Sequence, residues 1–159
     1  MTEESRETVL QEAMRAAIAL IQAHGRFAPF GVIHTAAGNL DHINVPCPRD
    51  DAITECMEME SLLRRLRMQA RGRNSRAIAV VRDLEAVKGS ALQLSGIIRI
   101  DFEDRRCGAL MYHLSYSVDT GHILTGQLIT EPGTFMLFPA RSEDDAADVP
   151  AGIDNEGEP

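Results

Sequence analysis

The sequence contains no Trp, one Lys and three Cys, and 4% of its 159 residues are aromatic. No apolar run approaches the roughly 20 residues of a membrane span, and no GxGxxG or GxxxxGK[ST] loop is present to hold a phosphate. The odd number and wide spacing of Cys47, Cys56 and Cys107 argue against a disulfide framework and fit a reducing compartment. The N-terminus, MTEESRETVLQEAMR, is acidic where a secretory signal would be basic, so we expect a cytoplasmic location.

Acidic residues are concentrated at the C-terminus. Residues 141–159, RSEDDAADVPAGIDNEGEP, carry seven acidic groups and one Arg, a net charge of −6. Because the whole chain has a net charge of −8, residues 1–140 have a net charge of about −2. This segment has no aromatic residue and few large aliphatic ones to bury. We predict a single α+β domain over residues 1–140 and a disordered acidic segment over residues 141–159, or alternatively an arm that docks on a basic partner.

The first half of the chain shows two helical patterns around a hairpin. Residues 4–24 carry apolar side chains at helical spacing, and Gly25 suits a helix C-terminus. FGVIHT and LDHINV then read as two strands joined by the turn AAGN. A second helix is predicted over about residues 51–71.

The second half alternates with period two. AIAVVRDLEAV reads as a central strand, followed by GIIRIDFED and by a strand with Leu110, Tyr112, Leu114 and Tyr116 inward. HILTGQLI and GTFMLF then offer one further strand or two. A three-residue loop over 104–106 would place His113 opposite Ile97. We predict a two-layer α+β domain in the order α-β-β-α-β-β-β-β, with an antiparallel sheet of five to six strands covered on one face by two helices.

The stretch FAPFGVIHTAAGNLDHINVPC brings His34, Asp41, His42 and Cys47 close together in sequence. Zinc needs three or four converging ligands, whereas a pairing of His34 with His42 across the hairpin supplies two. A nucleophilic Cys47 would need a nearby His or helix N-terminus. We expect no catalytic residue, metal or cofactor here. A small enzyme or metal-binding protein using His34, His42, Cys47 or His113 is the alternative.

The polar face of the late strands is the predicted interaction surface. It consists of Arg99, Asp101, Glu103, Met111 and His113. No Ser/His/Asp or paired-carboxylate arrangement can be assembled from these residues alone, which favours a solvated face or a subunit contact.

Six arginines lie between Arg64 and Arg76. Cations at a helix C-terminus are favoured by the helix dipole, and no aromatic RNA-binding pattern accompanies them. Weak nucleic-acid binding is therefore the third hypothesis. The acidic C-terminal segment could also fold back on these arginines.

The segments FAPFGVIHTAAGNLDHI and GIIRIDFEDRRCGALMYHLSYS resemble a set of small uncharacterised bacterial proteins. In that set a Phe-x-Pro-Phe segment precedes a Gly turn, and an alternating strand, a charged turn and an aromatic-rich strand follow. The resemblance covers roughly residues 5–138 and rests on Phe27, Pro29, Phe30, Gly38 and the strand pair around Arg105. It implies a compact α+β fold in a bacterial cytoplasm and no particular activity; Cys107 and Gly108 depart from the pattern.

Taken together, these observations favour a non-enzymatic interaction module acting as a subunit, adaptor or immunity-type inhibitor. Its expected partner is another protein or a second copy of the chain, because the edges of an antiparallel sheet must be paired or protected. No membrane contact is expected.

Overall fold

The computed structural model describes residues 2–44, 52–72, 74–85 and 95–138. They form, in order, α1 Thr2–His24, β1 Phe30–Thr35, β2 Leu40–Asn44, α2 Ala52–Arg71, β3 Ser75–Glu85, β4 Gly96–Asp104, β5 Gly108–Asp119 and β6 His122–Pro132. The predicted α+β class and element order are confirmed. Cys47 and the segment 141–159 lie outside the described residues.

All six strands belong to one antiparallel sheet, in the order β2-β1-β3-β4-β5-β6. The predicted central strand, β3, lies inside the sheet, and residues 77–81 are fully buried. β2 and β6 form the two edges. GTFMLF is not a strand: residues 133–138 follow β6 in irregular structure, and the backbone N–H of Gly133 still donates to the carbonyl of Ala109 in β5 at 3.1 Å.

The two helices pack on opposite faces of the sheet, so the expectation that both cover one face is wrong. The α1 face contains Val32, Ala79 and Ile100 beneath the buried stripe of α1. The α2 face contains Ile33, Ile78 and Val80 beneath Leu62, Leu66 and Ala70. The reason is that β1 and β3 are apolar at consecutive positions, and consecutive strand residues point to opposite faces.

Gly31 allows α2 to approach the sheet closely. A Cβ atom at this position would stand 2.7 Å from Cδ2 of Leu66. A larger residue here would force the Leu66 side chain to shift, so the absence of a side chain at Gly31 allows Leu66 to pack directly on β1.

The turn between β4 and β5 is shifted by one residue from the predicted loop. Asp104 pairs with Gly108, so the loop covers residues 105–107 and His113 lies opposite Arg99 rather than Ile97. The Asp104 carboxylate accepts hydrogen bonds from the backbone N–H groups of Arg106 (2.8 Å) and Cys107 (3.0 Å), which closes this turn. The shift changes partners by two positions and therefore leaves every side chain on its predicted face.

None of the described helices is long and apolar enough to cross a membrane.

Candidate interaction surface

His34 is a buried residue of the α1 face, where it is 8% exposed. Its Nδ1 atom lies 2.5 Å from Oγ of Ser5, which is also buried. Burial lowers the pKa of His34 below its usual value; the charge of Arg76 acts in the same direction and that of Asp104 opposes it. Because neither Ser5 nor His34 is accessible, this pair serves the packing of α1 on β1.

His42 does not pair with His34 across the hairpin. It lies opposite Val32, and its Nε2 atom is 3.0 Å from a carboxylate oxygen of Glu12 on α1. The pKa of Glu12 is lowered mainly by its hydrogen bond from Arg15, with His42 contributing less. Within the described residues no group of three or more His, Cys, Asp or Glu side chains could hold a metal ion. Each histidine therefore contacts a different residue of α1.

The five residues of the predicted interaction surface share the α2 face, but they are not equally accessible. Glu103 is 1% exposed and Asp101 is also buried. Asp101 accepts a hydrogen bond from Arg82 at 3.1 Å and two from the guanidinium of Arg99. Arg99, Met111 and His113 are partly exposed. The accessible part of the predicted surface is therefore reduced to these three residues.

Glu103 anchors the segment that follows β6. Its carboxylate accepts hydrogen bonds from the backbone N–H groups of Leu137 (2.9 Å) and Phe138 (3.1 Å). Both apolar side chains are buried in the α2-face core. The segment thus covers the end of the sheet where a solvated Glu103 was expected, and sequence alternation could not reveal this.

The edge strand β6 was not among the residues predicted for the interaction surface. This edge strand runs over eleven residues and contains one acidic residue, Glu131, and no Lys or Arg. Its apolar side chains Leu124 and Ile129 are 59% and 52% exposed. In the part of the chain that the structure describes, no segment pairs with its outer edge. The signal in the sequence was the lack of charge in HILTGQLIT.

β6 extends the predicted surface directly. Ile129 lies opposite His113 and Glu131 lies opposite Met111, so these side chains share the α2 face. Leu124 lies opposite Ser117 and points to the same face. Leu124, Ile129, Glu131, Met111 and His113 therefore share one face beside the outer edge of β6, with which no described segment pairs. We call these five residues the β6 surface.

A β-bulge divides β6 near its middle. Leu114 pairs with Leu128 and Tyr116 pairs with Thr125, so β6 has one residue more than β5 in this interval. A Cβ atom on Gly126 would collide with Oγ of Ser115, which explains the glycine. The bulge is what brings Leu124 and Ile129, five positions apart, to the same face.

The arginines predicted to bind nucleic acid lie on α2 and in the residues that follow it. Arg64, Arg65, Arg67 and Arg71 are exposed, Arg76 is half-buried, and Arg73 lies outside the described residues. Arg67 donates a hydrogen bond from Nε to the carbonyl of Met136 at 3.1 Å. This arginine therefore has a structural partner in addition to its contact with solvent.

Comparisons with protein families, with curated proteins and with solved structures found no match to this chain. The resemblance to small bacterial α+β proteins stays a prediction.

Proposed function

We propose that the protein is a non-enzymatic interaction module that binds a second copy of itself along β6. The observation that carries this proposal is the nearly uncharged outer edge of β6, with which no described segment pairs, together with Leu124 and Ile129 exposed beside it. An unpaired edge presents a row of backbone N–H and C=O groups that another strand can satisfy.

The two edges of the sheet differ in a way that favours β6. β2 has five residues, among them Asp41, and a short charged edge is an ordinary protection against pairing. β6 is more than twice as long as β2 and lacks lysine. Its bulge would interrupt, at one point, the row of backbone hydrogen bonds that an added strand forms with it. The bulge leaves a regular run on each side, which gives a second strand two places to pair.

The sequence of β6 is complementary to itself. An antiparallel alignment of two copies with Gly126 opposite Gln127 places Leu124 opposite Ile129 and His122 opposite Glu131, and each pair occurs twice. All four side chains lie on the α2 face, because the bulge sits at the centre of the alignment. Apolar residues thus meet apolar residues, and the single acid of β6 meets its histidine. A two-fold axis perpendicular to the sheet would generate this interface.

This arrangement favours the role of a homo-oligomer subunit over that of an adaptor or an immunity-type inhibitor. Two sheets of six strands would join into one, and Met111 and His113 of each copy would flank the seam. A bacterial cytoplasmic setting belongs to the proposal, and the free thiol of exposed Cys107 is compatible with it. The enzyme alternative has less support, because His34 is buried and His42 is bonded to Glu12.

Sedimentation of the native chain and of Leu124→Lys/Ile129→Lys tests the proposal. We expect the native chain to sediment as a dimer of 17.5 kDa subunits at micromolar concentration, and the double variant as a monomer. Met68→Lys is the matched control, because Met68 is 68% exposed on α2 and lies outside the β6 surface. A native chain that stays monomeric would overturn homotypic pairing, and so would a dimer that the double variant leaves intact.

A further inference from the structure

The C-terminal half of α2 and the β4–β5 turn carry a group of exposed arginines, which we call the basic strip. Its members are Arg64, Arg67, Arg71, Arg105 and Arg106. The three on α2 are spaced three and four residues apart, so they share one side of the helix. Arg105 holds the turn against the helix end, because its guanidinium donates to the carbonyls of Ala70 (2.5 Å) and Gly72 (2.8 Å). The strip is therefore built from two fixed elements.

The last described residues of the chain lie on this strip. Arg67 bonds the carbonyl of Met136 at 3.1 Å, and the Arg105 guanidinium carbon lies 4.8 Å from the ring centroid of Phe138. Phe138 is itself buried and held by Glu103. The described part of the chain therefore ends in contact with two arginines of the strip.

The remaining segment of the chain has the opposite charge. Residues 139–159 contain seven acidic groups and one Arg. The first acid, Glu143, is five residues beyond Phe138, within about 18 Å for an extended chain. Arg64 and Arg71 are separated by about 10 Å along the helix axis, so the acids can reach the whole strip.

We propose that residues 141–159 bind the basic strip of their own chain and act as an acidic pseudo-ligand for it. The charges are complementary, and the point at which the segment starts is fixed by the contacts of Met136 and Phe138. Attachment at that point gives the segment an effective concentration on the order of millimolar at the strip, so weak exposed ion pairs suffice to populate the bound form. The bound segment competes with any other polyanion for these arginines. Salt weakens the contact because the pairs are exposed.

The test uses a full-length variant, the neutralised chain, in which all seven acidic residues of 141–159 are replaced by Asn or Gln. The probe is a fluorescein-labelled peptide of residues 141–159, titrated with each protein at about 0.05 M salt. We expect the neutralised chain to bind the peptide about tenfold more tightly than the native chain, because its strip is no longer occupied.

Two further variants in the neutralised background separate the strip from a general effect of net charge. Arg71→Gln should remove much of the gain, whereas Arg15→Gln, which removes the same charge on α1 across the sheet, should leave it unchanged. Equal binding by the native and neutralised chains would overturn the proposal. So would the absence of peptide binding by both chains, or an equal loss in the strip and control variants.

Discussion

The carboxylate of Glu103 accepts a hydrogen bond from the backbone N–H of Leu137 at 2.9 Å, on the α2 face of the sheet. The same carboxylate also receives the N–H of Phe138. A buried charge that accepts backbone hydrogen bonds is satisfied where an isolated one would be costly. Leu137 and Phe138, in the segment GTFMLF that the sequence offered as a second late strand, are thus held by a side chain.

Replacing Glu103 by Ala should lower the free energy of unfolding by about 2 to 3 kcal/mol, because two buried N–H groups lose a charged acceptor. Glu103→Gln should cost less, since its amide oxygen can still accept one bond. Urea denaturation measures both, with exposed Glu60→Gln as the control. Chain concentration is kept equal throughout, because association adds to apparent stability. If Glu103→Ala leaves the midpoint of urea denaturation unchanged, Glu103 does not anchor residues 137 and 138.

Glu58 should behave in the opposite way. It lies one helical turn before Leu62 on the buried stripe of α2, is 6% exposed, and its carboxylate oxygens have no hydrogen-bond partner among the described residues. Removing a buried, unpaired charge relieves a desolvation cost. Glu58→Leu should therefore raise the free energy of unfolding by about 1 to 3 kcal/mol, again against Glu60→Gln. A destabilised Glu58→Leu would show that the carboxylate is needed.

Gly31 and Leu66 should be energetically coupled. Gly31→Ala places a methyl group 2.7 Å from Leu66 Cδ2 and should cost about 1 to 3 kcal/mol through overpacking. In the Leu66→Ala chain the same methyl group has room. Gly31→Ala should therefore cost much less in the Leu66→Ala chain than in the native chain. A double-mutant cycle in urea measures this difference. Additive effects would mean that α2 does not pack on Gly31.

The lowered pKa of His34 predicts a pH dependence of stability. Its usual value is 6.5, and burial favours the neutral form in the folded chain, so the unfolded chain binds the proton more readily. The contribution of His34 to the free energy of unfolding is present in full above pH 6.5 and is lost as the pH falls below 6.5. Between pH 7.5 and 5.5 it should amount to at most about 1.4 kcal/mol.

His34→Gln should flatten this pH dependence although it lowers stability overall, whereas exposed His24→Gln should retain the dependence. Thermal unfolding across the pH range compares the slopes. An unchanged slope in His34→Gln would assign the titration to another group.

Local patterns in the sequence were enough to predict most elements and the inward faces of their strands. The predicted β1, FGVIHT, has the observed bounds, and Gly25 ends α1 with φ 80°. The predicted placement of α2 was wrong because β3 is apolar on both faces, and the apolar pattern of a strand does not specify which helix covers which face. The loop shifted because the Asp104 side chain closes the turn one residue later.

The candidate surface was only partly predictable. Arg99, Met111 and His113 were placed on the correct strands and face, but the burial of Glu103 depends on residues 137 and 138, which are distant in sequence. The contribution of β6 depends on its being the last strand of the sheet and on a bulge at Gly126. Strand order is a long-range property, which alternation along one strand does not specify.

Disulfide trapping tests the β6 pairing most directly. Leu124→Cys and Ile129→Cys chains are mixed, oxidised and digested, and the cross-linked peptides are identified by mass spectrometry. The alignment about Gly126 and Gln127 places these two positions opposite each other, at about the Cα separation that a disulfide requires. We expect a 124–129 cross-link in the mixture and no 124–124 or 129–129 cross-link in either variant alone. No cross-link in the mixture, or equal cross-linking within each single variant, would contradict the account.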